Sequence, residues 1–109
     1  MLVLRPQDLK LLQELLTQHL PAGTAVWAYG SRVNGDAYDG SDLDLVLRGA
    51  GLRELPYAVL SQLRKELTES NLPILVDVHD WARLPASFHE RILARYEVLR
   101  SGSAEMIAA

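Results

Sequence analysis

Gly30-Ser31 is followed, after ten residues, by Asp42-Leu43-Asp44 at the head of the apolar run Leu45-Val46-Leu47. Two carboxylates one residue apart on an extended strand project to the same face, so Asp42 and Asp44 can reach the same divalent cations. That geometry suits metal-assisted phosphoryl or nucleotidyl transfer. The Gly-Ser turn comes directly after Ala25-Val26-Trp27-Ala28-Tyr29. Such a turn lets backbone N–H groups approach a phosphate closely, above all where a helix starts and presents its positive end. Together these residues describe a site for a nucleoside triphosphate and Mg²⁺. Arg32, next in the chain, has two readings, a phosphate contact or a solvent-exposed arginine in a first helical turn.

A third carboxylate comes from Ile74-Leu75-Val76-Asp77-Val78-His79. On a strand Ile74, Val76 and Val78 share one face and Asp77 and His79 the other, so Asp77 can join the aspartate pair and His79 can flank the pocket. Asp80, just beyond, is the alternative third carboxylate or else a residue that caps the chain; strand parity favours Asp77. His19, His79 and His89 are too widely spaced for a zinc site, and the common role of a lone strand histidine is a half-buried hydrogen-bonded one. Trp27, Tyr29 and Trp81 read as residues that pack against helices, with Tyr29 abutting the Gly-Ser turn.

The elements that must position these groups follow from pattern and punctuation. Pro6 suits a first helical turn, and Leu9, Leu12, Leu16 and Leu20 recur at helical spacing until Pro21-Ala22-Gly23, which predicts a helix over 6–20. A strand over 25–29, a short helix from Ser31, a turn-rich loop over 34–41 and a strand over 42–48 come next. Leu55, Val59, Leu63 and Leu67 predict a helix over 53–70 with Pro56 in its first turn. A strand over 74–79 follows. Pro85 then opens a last helix whose stripe is Phe88, Ile92, Tyr96 and Leu99. Helices alternating with short strands give an α/β (α+β) domain, two layers around one small sheet.

Length and composition narrow the function classes. At 109 residues with 49% hydrophobic and 23% charged, the chain fits one domain with a single core, over 1–100, and a flexible small-residue tail over 101–109. A second substrate must therefore lie largely outside this fold. The formal charge of -3 argues against long nucleic acid as the main ligand. Absence of cysteine removes disulfides and thiolate chemistry and fits a reducing compartment. No apolar run spans a bilayer and no signal-peptide pattern is present, which makes the cytoplasm the default. An EF-hand fails on ligand alternation, and no Walker, kinase or Ser-His-Asp signature occurs.

Gly30-Ser31, Ser41-Asp42-Leu43-Asp44-Leu45 and Val76-Asp77-Val78 together resemble the motif set of the DNA polymerase beta type nucleotidyltransferase superfamily. Over about residues 6–100 the chain resembles its minimal nucleotidyltransferases, the MNT proteins, many of which are paired with a helical HEPN-domain protein. The resemblance implies the polymerase beta-like fold, a small mixed sheet flanked by helices. It implies that Gly30 and Ser31, with Arg32 in a pattern only partly kept, contact the phosphates of ATP. It further implies that Asp42 and Asp44 bridge two Mg²⁺ ions and that Asp77 completes the metal site and orients an acceptor hydroxyl. AMP would pass to that hydroxyl, a tyrosine of a HEPN toxin, with this chain as antitoxin. Two other classes stand beside this one: a non-catalytic module that neutralises a HEPN partner by occupying its surface, and an aminoglycoside-type small-molecule transferase, which would need a homo-oligomer to supply the missing substrate-binding part.

Overall fold

The computed structural model describes residues 2–38 and 40–102. Its elements are α1 (Pro6–His19), β1 (Ala25–Tyr29), α2 (Ser31–Asn34), β2 (Leu43–Arg48), α3 (Tyr57–Glu69), β3 (Val76–Asp80), α4 (Ala86–Ala94) and β4 (Glu97–Arg100), with short 3-10 turns at Ala50–Leu52 and Trp81–Arg83. The sheet has the order β3-β2-β1-β4. Strand β1 runs antiparallel to both β2 and β4, while β2 and β3 are parallel. Parallel neighbours need a crossover, and α3 supplies it. The mixed sheet flanked by helices agrees with the sequence reading.

Strand alternation divides the sheet into two unlike faces. On one, Val26, Ala28, Leu43, Leu45, Leu47 and Val78 pack with the buried stripes of α1 (Leu12, Leu16) and α3 (Leu60, Leu63, Leu67). On the other, Trp27 and Val46 meet Trp81 and Ile92, the latter from α4. Helix α4 thus adds partial cover to the second face. Between α4 and this face a cleft remains, and Tyr29, Asp44, Asp77 and His79 of β1, β2 and β3 line it.

The last third of the chain departs from the sequence reading in one respect. Tyr96 and Leu99 do not continue the helical stripe of Phe88 and Ile92, because α4 ends at Ala94 and Arg95 is extended (φ -161°, ψ 117°). The run Glu97-Val98-Leu99-Arg100 instead pairs with β1, whose other edge β2 already occupies. Spacings of four, four and three satisfy a helix, but alternation over four residues satisfies a strand equally well, and the open edge of β1 decides. Tyr96 then stacks on Trp27 at 4.0 Å between ring centroids. Smaller differences are the later start of α3, with Pro56 as its N-cap, and the shift of β3 to 76–80. Packing continues through Gly102, where a Cβ would come within 2.6 Å of the Ala25 amide nitrogen; the rest of the sequence-defined tail lies outside the described residues.

Asp80 faces the core side of β3 and is 3% exposed. One carboxylate oxygen accepts from the Leu55 N–H at 2.9 Å and the other from the Ala82 N–H at 3.2 Å. Arg83 Nε lies 3.2 Å from the same carboxylate and Arg83 Nη2 donates to Leu55 O at 2.9 Å. The pair brackets the entry to α3. Replacing Asp80 by Ala leaves two backbone donors and a guanidinium without their acceptor, and should lower unfolding free energy by about 3 kcal/mol in urea titrations.

Candidate functional site

The site is assembled by register. Tyr29 on β1 stands opposite Asp44 on β2, and Asp44 stands beside Asp77 on β3. One row across the sheet therefore reads Tyr29, Asp44, Asp77. His79 lies two residues along, on the same face, with its Nε2 3.0 Å from Asp77 Oδ2. Asp42 precedes β2 and is exposed, and its charge still acts on Asp44.

Glycine at position 30 is a geometric requirement. Its φ of 81° and ψ of -158° lie in a region that essentially only glycine occupies. A Cβ there would overlap the Asp44 carboxylate. The Gly30 carbonyl accepts from the Val33 and Asn34 N–H groups and so closes the single turn of α2. Ser31, its first residue, lies at the cleft.

Asp44 borders two clefts. The first, about 280 Å³, runs between the sheet and α4 and places Asp44 and Asp77 across from Arg91 and Arg95. Tyr29 and Phe88 also line it, edge to face at 6.1 Å. The second, about 290 Å³, holds Ser31, Ser41 and Asp42 on the other side of Asp44. The loop between α2 and β2 is shaped by its own bonds: Ser41 N–H donates to Tyr38 O, and Ser41 Oγ accepts from the Tyr38 N–H, both at 2.9 Å.

Electrostatics mark the same point. Burial, then the charges of Asp77 and Asp42, push the Asp44 carboxyl above the ordinary aspartate range, and His79 opposes them. Burial, followed by the Asp44 and Asp77 charges, raises the Tyr29 phenol and keeps it protonated, with Arg91 acting the other way. Tyr29 is therefore a hydrogen-bond donor at neutral pH rather than a nucleophile.

Of the residues singled out from sequence, Gly30, Asp44, Asp77 and His79 line one cleft and Ser31, Asp42 and Asp44 the other, with Asp44 common to both. Asp80 does not, since it points into the opposite face. Arg32 does not either. It is buried, its Nε donating to Ser41 O and its Nη1 to Val3 O, each at 2.9 Å. Its guanidinium braces the loop from behind, which corrects both readings of this residue, the phosphate contact and the exposed arginine. Arg91 and Arg95 were missed: Arg91 lies on α4 and Arg95 just past its end, and the apolar stripe read through this stretch drew attention away from them.

The polymerase beta nucleotidyltransferase family matches residues 10–105. The chain belongs to that family. The probable protein adenylyltransferase MntA of Haemophilus influenzae is 36% identical over 97 residues, which cover 89% of this chain and 82% of MntA. A toxin–antitoxin crystal structure with AMP-PNP shares the fold with a TM-score of 0.72 at 19% identity, covering 93% of this chain and 77% of that one. The complex of a tri-AMPylated Shewanella oneidensis HEPN toxin with an MNT antitoxin gives a TM-score of 0.64 at 16% identity, over 94% of this chain and 76% of that one. This polymerase beta-type nucleotidyltransferase is thus a homologue of an MntA adenylyltransferase, and the solved structures confirm its fold.

The carboxylates of the nucleotidyltransferase fit a divalent cation. Asp44 carries the repulsion of two neighbouring aspartates, with His79 the opposing charge, and this is the arrangement a cation relieves. Among the described residues no three side chains already converge on a single metal point. Mg²⁺ suits such an open set, because it takes one or two carboxylates and completes its shell with phosphate oxygens and water.

Two outcomes follow for the metal-free nucleotidyltransferase. With its native pKa raised, Asp44 binds more proton folded than unfolded, so stability should fall as pH rises from the ordinary aspartate range through the raised native value. Asp44→Asn should flatten that fall in thermal melts at several pH values. Gly30→Ala should cost about 1–3 kcal/mol in urea titrations from backbone conformation alone, since alanine must either adopt this backbone or displace Asp44.

Proposed function

We propose that this chain transfers AMP from ATP to a hydroxyl on a protein partner. The observation that carries the reading is that Asp44 stands beside Asp77, feels the charge of Asp42 and lies against Gly30 of the Gly-Ser turn. Gly30 and Ser31 receive the phosphates: Ser31 lines the cleft that Asp42 and Asp44 share, and Gly30, the residue before it, borders the neighbouring cleft at Asp44. Asp42, Asp44 and Asp77 would hold Mg²⁺, which when bound neutralises phosphate charge and polarises the α-phosphorus.

The chain's own residues account for the rest. Asp77, on the α4 side of Asp44, holds the acceptor hydroxyl and takes its proton as the acceptor oxygen bonds to the α-phosphorus. The bond from that phosphorus to the bridging oxygen breaks in line, and pyrophosphate leaves with the electron pair. His79, 3.0 Å from Asp77, fixes the orientation of that carboxylate. MntA, the Haemophilus relative, is named a probable protein adenylyltransferase, and one structural neighbour contains an AMPylated HEPN toxin. These support a helical HEPN toxin as the partner, its tyrosine as the acceptor, and an antitoxin role for this chain.

The test is transfer from α-labelled ATP with Mg²⁺ to proteins of the source organism. A labelled band is expected with the wild-type chain. Asp42→Asn/Asp44→Asn should reduce labelling by more than about a hundredfold, beyond the range seen when only the supports of metal ligands are removed. Retained labelling in the folded double variant would overturn the site. Neutralisation of a partner by a double variant that transfers no AMP would favour a purely binding role.

A further inference from the structure

The two clefts that meet at Asp44 have different chemistry, and an in-line displacement assigns them different tasks. Nucleophile and leaving group lie on opposite sides of the reacting phosphorus, so one cleft must receive the leaving pyrophosphate and the other the acceptor. The cleft with Ser31 and Asp42 takes the phosphates under the function proposed above, on which this inference rests. The cleft between the sheet and α4, which meets the Gly-Ser turn only at Gly30 and holds Asp77, is assigned to the acceptor.

That cleft has a cationic rim. Arg91 on α4 and Arg95, the extended residue that ends it, both line it. Among the described residues neither forms a salt bridge. Arg91 lies 5.5 Å over the Phe88 ring, and Arg95 donates to Asn34 O at 3.3 Å from an exposed position. Other arginines are committed elsewhere: Arg5 to Asp8, Arg32 to the loop, Arg48 to the Trp27 and Trp81 rings, Arg64 to Val78 O, Arg83 to Asp80 and Arg100 to Leu16 O. In a chain of formal charge -3, two guanidinium groups without a carboxylate partner at the mouth of one cleft form a local feature that the global balance conceals.

We propose that Arg91 and Arg95 are specificity residues that select an acceptor hydroxyl carried on an acidic peptide segment. The aromatic floor of Tyr29 and Phe88 accommodates the ring of an acceptor tyrosine, and the two arginines pair with carboxylates next to it in the acceptor chain. The Asp44 and Asp77 wall would repel those same carboxylates. An acidic acceptor is therefore admitted in one orientation, with its hydroxyl toward Asp77 and its flanking charges toward α4.

Two fluorescently labelled peptides test this, one with a central tyrosine flanked by glutamates and one with glutamines in their place. Binding is read by anisotropy with Mg²⁺ and AMP-PNP present. The acidic peptide should bind the wild-type chain about tenfold more tightly, an advantage that shrinks between 50 mM and 500 mM salt and disappears in Arg91→Gln/Arg95→Gln. Affinity for AMP-PNP should stay within about twofold in that variant. Equal binding of the two peptides, or binding of neither, would overturn the proposal. So would a loss of AMP-PNP affinity in the variant, which would assign the arginines to the nucleotide. Transfer from α-labelled ATP is measured separately, so failure of the acceptor assignment leaves nucleotidyl transfer standing, and failure of transfer is recognised independently of peptide binding.

Discussion

Two like charges held side by side are the constraint around which this domain is arranged. The parallel register of β2 and β3 sets Asp44 beside Asp77, and neither strand can relax away from it. Slipping either strand by one residue would turn carboxylates into the core and leucines into water. Leu43, Leu45, Leu47 and Val78, all fully or almost fully buried, therefore do more than stabilise: they lock the repulsion in place. Gly30 makes room for the Asp44 carboxylate where any side chain would displace it. Under the proposed function, a cation and a triphosphate would convert the unfavourable arrangement into a binding site.

The sheet separates stability from chemistry by face. Beneath it, α1 and α3 bury a leucine-rich core, and even the buried Asp80 serves structure by accepting backbone hydrogen bonds. Above it, α4 covers only part of the surface and leaves a cleft. Arginines follow the same division. Arg32 and Arg83 turn inward and brace loops through carbonyl oxygens, whereas Arg91 and Arg95 turn toward the cleft.

Much of this was legible in the chain. Asp42, Asp44 and Asp77 could be placed because strand parity is a local rule, and the buried environment of Asp80 confirms that parity separates it from Asp77. The Gly-Ser turn was readable because few residues tolerate its backbone. What was not legible depended on partners distant in sequence. Glu97–Arg100 became a strand because β1 offered an edge, and Arg32 turned inward, where the carbonyls of Val3 and Ser41 were brought to it. The rim formed by Arg91 and Arg95 became meaningful once α4 was laid across the sheet, opposite Asp44 and Asp77.

The bracing by Arg32 has a wider consequence. Val3 N–H donates to Arg32 O at 2.8 Å while Val3 O accepts from the Arg32 side chain, so the segment ahead of α1 is tied to α2 in both directions. The same guanidinium holds Ser41, one residue before Asp42. The freedom of the loop that leads to Asp42, a metal-binding residue in the proposed function, is thus governed from the back of the molecule. Sequence change in that leading segment is a route by which turnover could be tuned without altering a single group in the site.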